Sequence, residues 1–186
     1  MFRSFLLTLA LIAASVMGAV TQDSDSQNKN LDVRSPIGNL HVGDDADAKK
    51  VGVPLYPGAR LKAEEPNSDQ ANLSVVTDAF GMKLVVANYV STDDPPKIVA
   101  FYRNKLRKYG KVLECHSEKH GGDISVHDEN SGSKDLKCDQ NSGPVTELKA
   151  GTEENQHIVA VEPGVASKGS KFALVYLHTR GKLGDI

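Results

Sequence analysis

The chain has 186 residues, 39% hydrophobic and 25% charged, the balance of an ordinary globular domain. Its formal net charge of −2 argues against general nucleic-acid binding through a basic surface. Trp is absent and aromatic residues make up 5%, so the core has to rest on Val, Leu, Ile and Ala.

The chain opens with a short basic start, Met1-Phe2-Arg3, then an apolar run from Phe5 to Val16, then small residues at Gly18 and Ala19. This is the pattern of a secretory signal peptide, assigned to residues 1–19. The run falls short of the roughly 18 apolar residues a membrane anchor needs. No Cys closes it, so the lipoprotein form of the signal is not expected. The reading is an exported chain, periplasmic or extracellular, with no transmembrane span after cleavage.

Residues 20–50 form a polar, partly disordered leader, within which Val33, Ile37, Leu40 and Val42 around a Pro-Ile-Gly turn suggest a short hairpin or edge strand. A single domain is assigned to residues 51–181, with a short tail at 182–186 and no internal repeat. It opens with VGVPLYPGARL, a short strand running into the Tyr56-Pro57-Gly58 turn, whose Pro and Gly suit a type II turn. Alternating apolar residues on either side of Ala79-Phe80-Gly81 predict an antiparallel hairpin over residues 71–91.

The stretch TDDPPKIVAFYRNKLRKYG, residues 92–110, predicts a helix. Ile98, Phe101, Tyr102, Leu106 and Tyr109 recur with a period near 3.6. Thr92, Asp93 and Asp94 offer N-cap oxygens, Pro95 and Pro96 are tolerated in the first turn, and Gly110 suits the end. Lys97, Arg103, Lys105, Arg107 and Lys108 make the rest of the helix basic. The last three lie where the helix dipole favours cations, so a solvated outer face is the first reading. Contact with an anionic lipid or polysaccharide surface through Lys97, Arg103, Arg107 and Lys108 is the alternative.

Strands are expected at KVLEC and at DLKCD, the latter as a short strand or extended return. A second hairpin joins QHIVAVEP and SKFALVYLHTR around GVASKG. The expected fold is α+β: an antiparallel sheet with one main amphipathic helix packed on one face.

Cys115 and Cys138 are the two cysteines, and in an exported chain they are expected to pair. The loop they would close is rich in Gly, Ser, Asp and His. His116, His120 and His127 in that loop are candidate zinc or copper ligands, with a solvated polar loop as the competing reading. Ser131 to Lys134 matches S-x-x-K but lacks partner motifs and a helix, and Gly164 to Lys171 scrambles the ending of a phosphate loop. Both are set aside. The acidic pairs Asp44-Asp45, Asp93-Asp94 and Glu153-Glu154 fall in turns and caps. Asn72-Leu73-Ser74 is a lone glycosylation sequon.

The turn VGVPLYPGARL followed by YVSTDDPPKIVAFYRNKLRKYG resembles a group of exported bacterial proteins with no assigned activity. The likeness covers about residues 51–110. It implies a bacterial exported protein with a small α+β domain and transfers no catalytic residue. The expected function is a non-enzymatic domain that binds an unknown ligand or envelope component, with no cofactor and no nucleic acid. A small extracytoplasmic hydrolase or metal-binding protein using the loop 116–127 is the alternative, and a structural envelope component is a third.

Overall fold

A computed structural model describes residues 30–43, 46–62, 70–118, 135–139, 141–164 and 168–181. The expected signal (1–19), the leader up to residue 29, His120, His127, Ser131 to Lys134 and the tail 182–186 lie outside the described residues.

Among the described residues, nine strands form one antiparallel sheet: β1 (Leu31–Ser35), β2 (Gly38–Gly43), β3 (Arg60–Leu61), β4 (Ala71–Val76), β5 (Gly81–Ser91), β6 (Leu113–Ser117), β7 (Val145–Thr152), β8 (Asn155–Pro163) and β9 (Ser170–Arg180). Their order across the sheet is β1-β2-β4-β5-β9-β8-β7-β6. The two-residue β3 pairs with the far end of β5, where Arg60 faces Val90 and Leu61 faces Tyr89. A one-turn helix α1 (Ala48–Val51) precedes β3, and the main helix α2 (Pro95–Leu106) continues as a 3₁₀ turn, Arg107–Tyr109.

The predicted hairpins appear as β4–β5 and β8–β9. The short hairpin suggested around Pro36-Ile37 is β1–β2, and it joins the sheet beyond β4. One departure makes the fold richer in sheet than expected. The segment VTELKAGT, in which no strand was anticipated, is β7 and lies between β6 and β8. DLKCD contains no strand; just beyond it, Asn141 makes a parallel bridge to His116 of β6.

The sheet carries a buried apolar layer on each face, because alternate residues point to opposite sides. On one face Val85, Ala87, Tyr89, Leu148, Ala150, Val159, Val161, Phe172 and Leu174 meet Ile98, Val99, Tyr102 and Leu106 of α2. Full burial of one such side chain contributes about 1.5–3 kcal/mol. On the other face Val145, Ile158, Ala160, Ala173 and Val175 form a second cluster. The buried residues of both helices belong to the first cluster alone.

The helix starts as its sequence requires, with Pro95 and Pro96 in the first turn. Asp94 is the N-cap residue but makes no side-chain cap bond; its carbonyl accepts from Lys97 N at 3.1 Å instead. The carboxylate of Asp93 turns aside to accept from Tyr56 Oη and Lys97 Nζ, each at 2.8 Å.

That contact explains why the Tyr-Pro-Gly turn and the helix occur together. The turn closes with Ala59 N donating to Tyr56 O at 3.0 Å, and Gly58 takes φ 77°, as a type II turn demands. The Tyr56 ring packs edge-on against Phe101, with centroids 5.1 Å apart. Its backbone N–H donates to the buried hydroxyl of Tyr102 at 3.0 Å. Tyr89 does the same for α1, its hydroxyl accepting from Ala48 N at 2.8 Å.

Candidate functional site

Beyond the footprint of α2, the helix-bearing face carries a row of rings. Tyr176 of β9 stands opposite His157 of β8 on one side and Val85 of β5 on the other. His178 follows two residues along β9, opposite Lys83 and Asn155. Tyr109, delivered by the 3₁₀ turn after α2, stacks on His157 with centroids 3.5 Å apart and planes 14° apart. His157 and Tyr176 are 4.9 Å apart, and Tyr176 and His178 are nearly parallel at 6.4 Å. Two cations flank the row: Lys108 Nζ lies 4.6 Å from the Tyr109 ring centre and Lys83 Nζ lies 5.9 Å from that of Tyr176.

One end of the row is locked and the other is open. His157 is buried, and its Nδ1 donates to Val51 O at 3.0 Å, which fixes the tautomer because a carbonyl only accepts. Burial, helped by the charge of Lys108 and opposed by the Val51 bond, pushes the His157 pKa down to about 4. Tyr109 Oη and Lys108 Nζ both donate to Gly52 O, tying the 3₁₀ turn to the end of α1. Gly52 has φ 84°, and a Cβ there would sit 2.9 Å from Tyr109 Oη, so a larger residue would be strained and would push the Tyr109 hydroxyl away. At the open end Tyr176 is half-buried, while His178 and Lys83 are exposed. Burial first, and Tyr109 second, raise the Tyr176 pKa, so its hydroxyl stays protonated.

Farther along this face, His41 of β2 donates from Nδ1 to Asp32 Oδ1 at 2.8 Å and meets Asn72 Nδ2 with its other nitrogen at 3.4 Å. Asn72 is buried in this contact, so the sequon is not presented for glycosylation.

A second polar group lies on the opposite face. Lys149 of β7 is buried, with Nζ 3.4 Å from Glu147 Oε2 and 3.5 Å from Asp139 Oδ2. Ser117 of β6 donates to the other oxygen of Glu147. The register explains the gathering, since Leu113, Cys115 and Ser117 stand opposite Lys149, Glu147 and Val145. The Cys115–Cys138 disulfide, with Cα atoms 5.5 Å apart, then brings Asp139 over Lys149. Ser117 and Glu147 have the chemistry of a hydroxyl beside a base, but both are buried along with Lys149. The group therefore serves as an internal clamp rather than as a site open to substrate.

The residues singled out from sequence are dispersed. Cys115 and Cys138 are joined. His116 is half-buried on β6, while His120 and His127 lie outside the described residues. Among the described residues, no three His, Cys, Asp or Glu side chains gather to hold a metal. Much of the basic face of α2 is engaged locally: Lys97 pairs with Asp93, Arg103 with Glu114, Lys108 with Gly52 O, and Lys105 lies 5.3 Å from the Phe101 ring centre. Arg107 is exposed. The ring row escaped sequence reasoning because Tyr109, His157 and Tyr176 come from three separate elements; the alternation of Tyr176 and His178 along β9 was its one visible sign.

The chain is an antiparallel-sheet protein with one main helix and a partly open ring row on the helix-bearing face. No family model, curated protein or solved structure matches it. Among the described residues, no helix is long and apolar enough to cross a membrane.

Proposed function

We propose that this is an exported, non-enzymatic binding domain of the cell envelope or its surroundings, and that the open end of the ring row takes a saccharide bearing acidic groups. The observation that carries the reading is the Tyr109–His157–Tyr176–His178 row with Lys83 and Lys108 beside it. A half-exposed Tyr ring offers an apolar face to the C–H side of a sugar ring, and its hydroxyl bonds at the edge. Lys83 stands where a carboxylate on that sugar would find a counter-charge. The internal stacking of Tyr109 on His157 holds the surface rigid, which limits the entropy lost on binding. Export is supported by the basic, apolar and small-residue order of the first 19 residues and by the disulfide. The resemblance of residues 51–110 to exported bacterial proteins points the same way.

Titration calorimetry with a soluble polyuronate, and with neutral dextran as control, tests the reading. The wild type is expected to bind the polyuronate, and Lys83→Ala to weaken it by about tenfold with the thermal unfolding midpoint retained. Tyr176→Ala, whose ring also packs on the core, is expected to weaken binding by a similar factor when measured well below its lowered midpoint. Arg107→Ala is expected to leave binding unchanged. Absence of binding, or binding indifferent to Tyr176→Ala, overturns the proposal. Loss with Arg107→Ala alone would move the contact to the helix.

A further inference from the structure

The two edges of the sheet are finished differently. At the β6 edge, Asn141 bridges His116 and the disulfide holds the neighbouring segment in place. At the other edge every residue of β1, Leu-Asp-Val-Arg-Ser, is exposed. Sheet edges are normally blunted by charged side chains, Lys above all, by Pro or by a bulge, because bare N–H and C=O groups recruit another strand. Residues 31–35 contain neither Lys nor Pro, their pairing with β2 runs without a bulge, and the two charges they carry, Asp32 and Arg34, are of opposite sign.

Apolar surface continues from this edge. Leu31 and Val33 are 55% and 46% exposed, and they share a face with Leu40 and Val42 of β2 through the pairs Leu31–Val42 and Val33–Leu40. Ile37, at the tip of the hairpin, is 83% exposed.

We propose that β1 is the interface of a symmetric dimer, in which the β1 strands of two copies pair antiparallel about Val33 and join the two sheets into one. The strand is complementary to itself in this register. Antiparallel pairing centred on Val33 sets Asp32 of each copy opposite Arg34 of the other, giving two opposite-charge cross-strand pairs on one face. On the other face Val33 meets its own copy, with Leu31 and Val42 beside it. Backbone parity agrees. The two-residue loop Pro36-Ile37 closes the hairpin at the pair Ser35–Gly38, so residues 31, 33 and 35 spend their backbone bonds on β2. Asp32 and Arg34 turn theirs outward, where the second copy reads them. A two-fold axis through Val33 makes the contact isologous, so assembly stops at two.

Sedimentation equilibrium of the purified chain, from micromolar to millimolar concentration, reads the association. The wild type is expected to dimerise reversibly. Asp32→Arg alone and Arg34→Asp alone are each expected to weaken the dimer by about tenfold or more, because each sets like charges face to face. Mixing the two single variants is expected to restore a heterodimer, and the double exchange Asp32→Arg with Arg34→Asp a homodimer. Arg34→Asp also keeps the His41–Asp32 contact, so its effect is separable from damage to the hairpin. A wild type that stays monomeric throughout overturns the proposal, as does a single variant that dimerises normally, or a mixture that fails to recover association.

Discussion

Lys149 and His157 are charged or chargeable groups held inside the sheet, and each makes stability depend on something specific. Lys149 lies between Glu147 and Asp139 with almost no contact with water. Lys149→Met would strand the buried Glu147 carboxylate and is expected to cost about 3–5 kcal/mol in urea unfolding; pairing it with Glu147→Leu should recover most of that loss. His157 responds to pH. The unfolded chain takes up this proton near 6.5, whereas the folded chain does so only at about 4. Between those values the unfolded state binds more protons, so stability falls as pH drops from about 6.5 and the contribution is gone near 4. Its size is on the order of 3 kcal/mol. His157→Gln should flatten this part of the unfolding free energy measured against pH. Neither residue announced itself in the sequence. Polar and apolar residues alternate only over Glu147 to Ala150, too short a run to mark a strand, and both sides of β7 are buried with the charges facing inward. The chain's period shows where side chains point, but the partners that make a buried charge tolerable come from β6 and the disulfide-linked segment.

At the scale of elements, α2 and the hairpins β4–β5 and β8–β9 were legible because their signals are local. Ile98, Tyr102 and Leu106 repeat at the helical period, and all three are buried against the sheet. The use of Tyr102 was less visible, because its hydroxyl serves the backbone of residue 56 rather than anything on the helix. Tyr102→Phe keeps the ring and removes the acceptor, leaving the N–H of Tyr56 unsatisfied in a buried setting. It is expected to cost about 1–3 kcal/mol, read as a lower urea midpoint with an unchanged slope. Burial raises the pKa of this hydroxyl, so it stays protonated through the neutral range. The basic side of α2 is largely exposed, and Asp93, Glu114 and Gly52 O lie within reach of Lys97, Arg103 and Lys108. Asp93 lies four residues before Lys97, but Glu114 and Gly52 O come from other segments, about which helix periodicity carries no information.

For the whole molecule, the general plan of an antiparallel sheet with one main helix could be read from the sequence, but the strand order could not. Hairpins fix neighbours that are adjacent in sequence; the pairing of β5 with β9 joins Gly81–Ser91 to Ser170–Arg180, far apart along the chain. That pairing has a consequence for the order of assembly. The strands before the helix (β1 to β5) lie on one side of β9 and those after it (β6 to β8) lie on the other, so β9, the last strand in chain order among the described residues, is the seam between two half-sheets. Until residues 170–180 emerge, neither half can complete its hydrogen bonding at that seam. A chain cut before residue 170 would therefore lose the one strand that ties the two half-sheets together, not merely an edge.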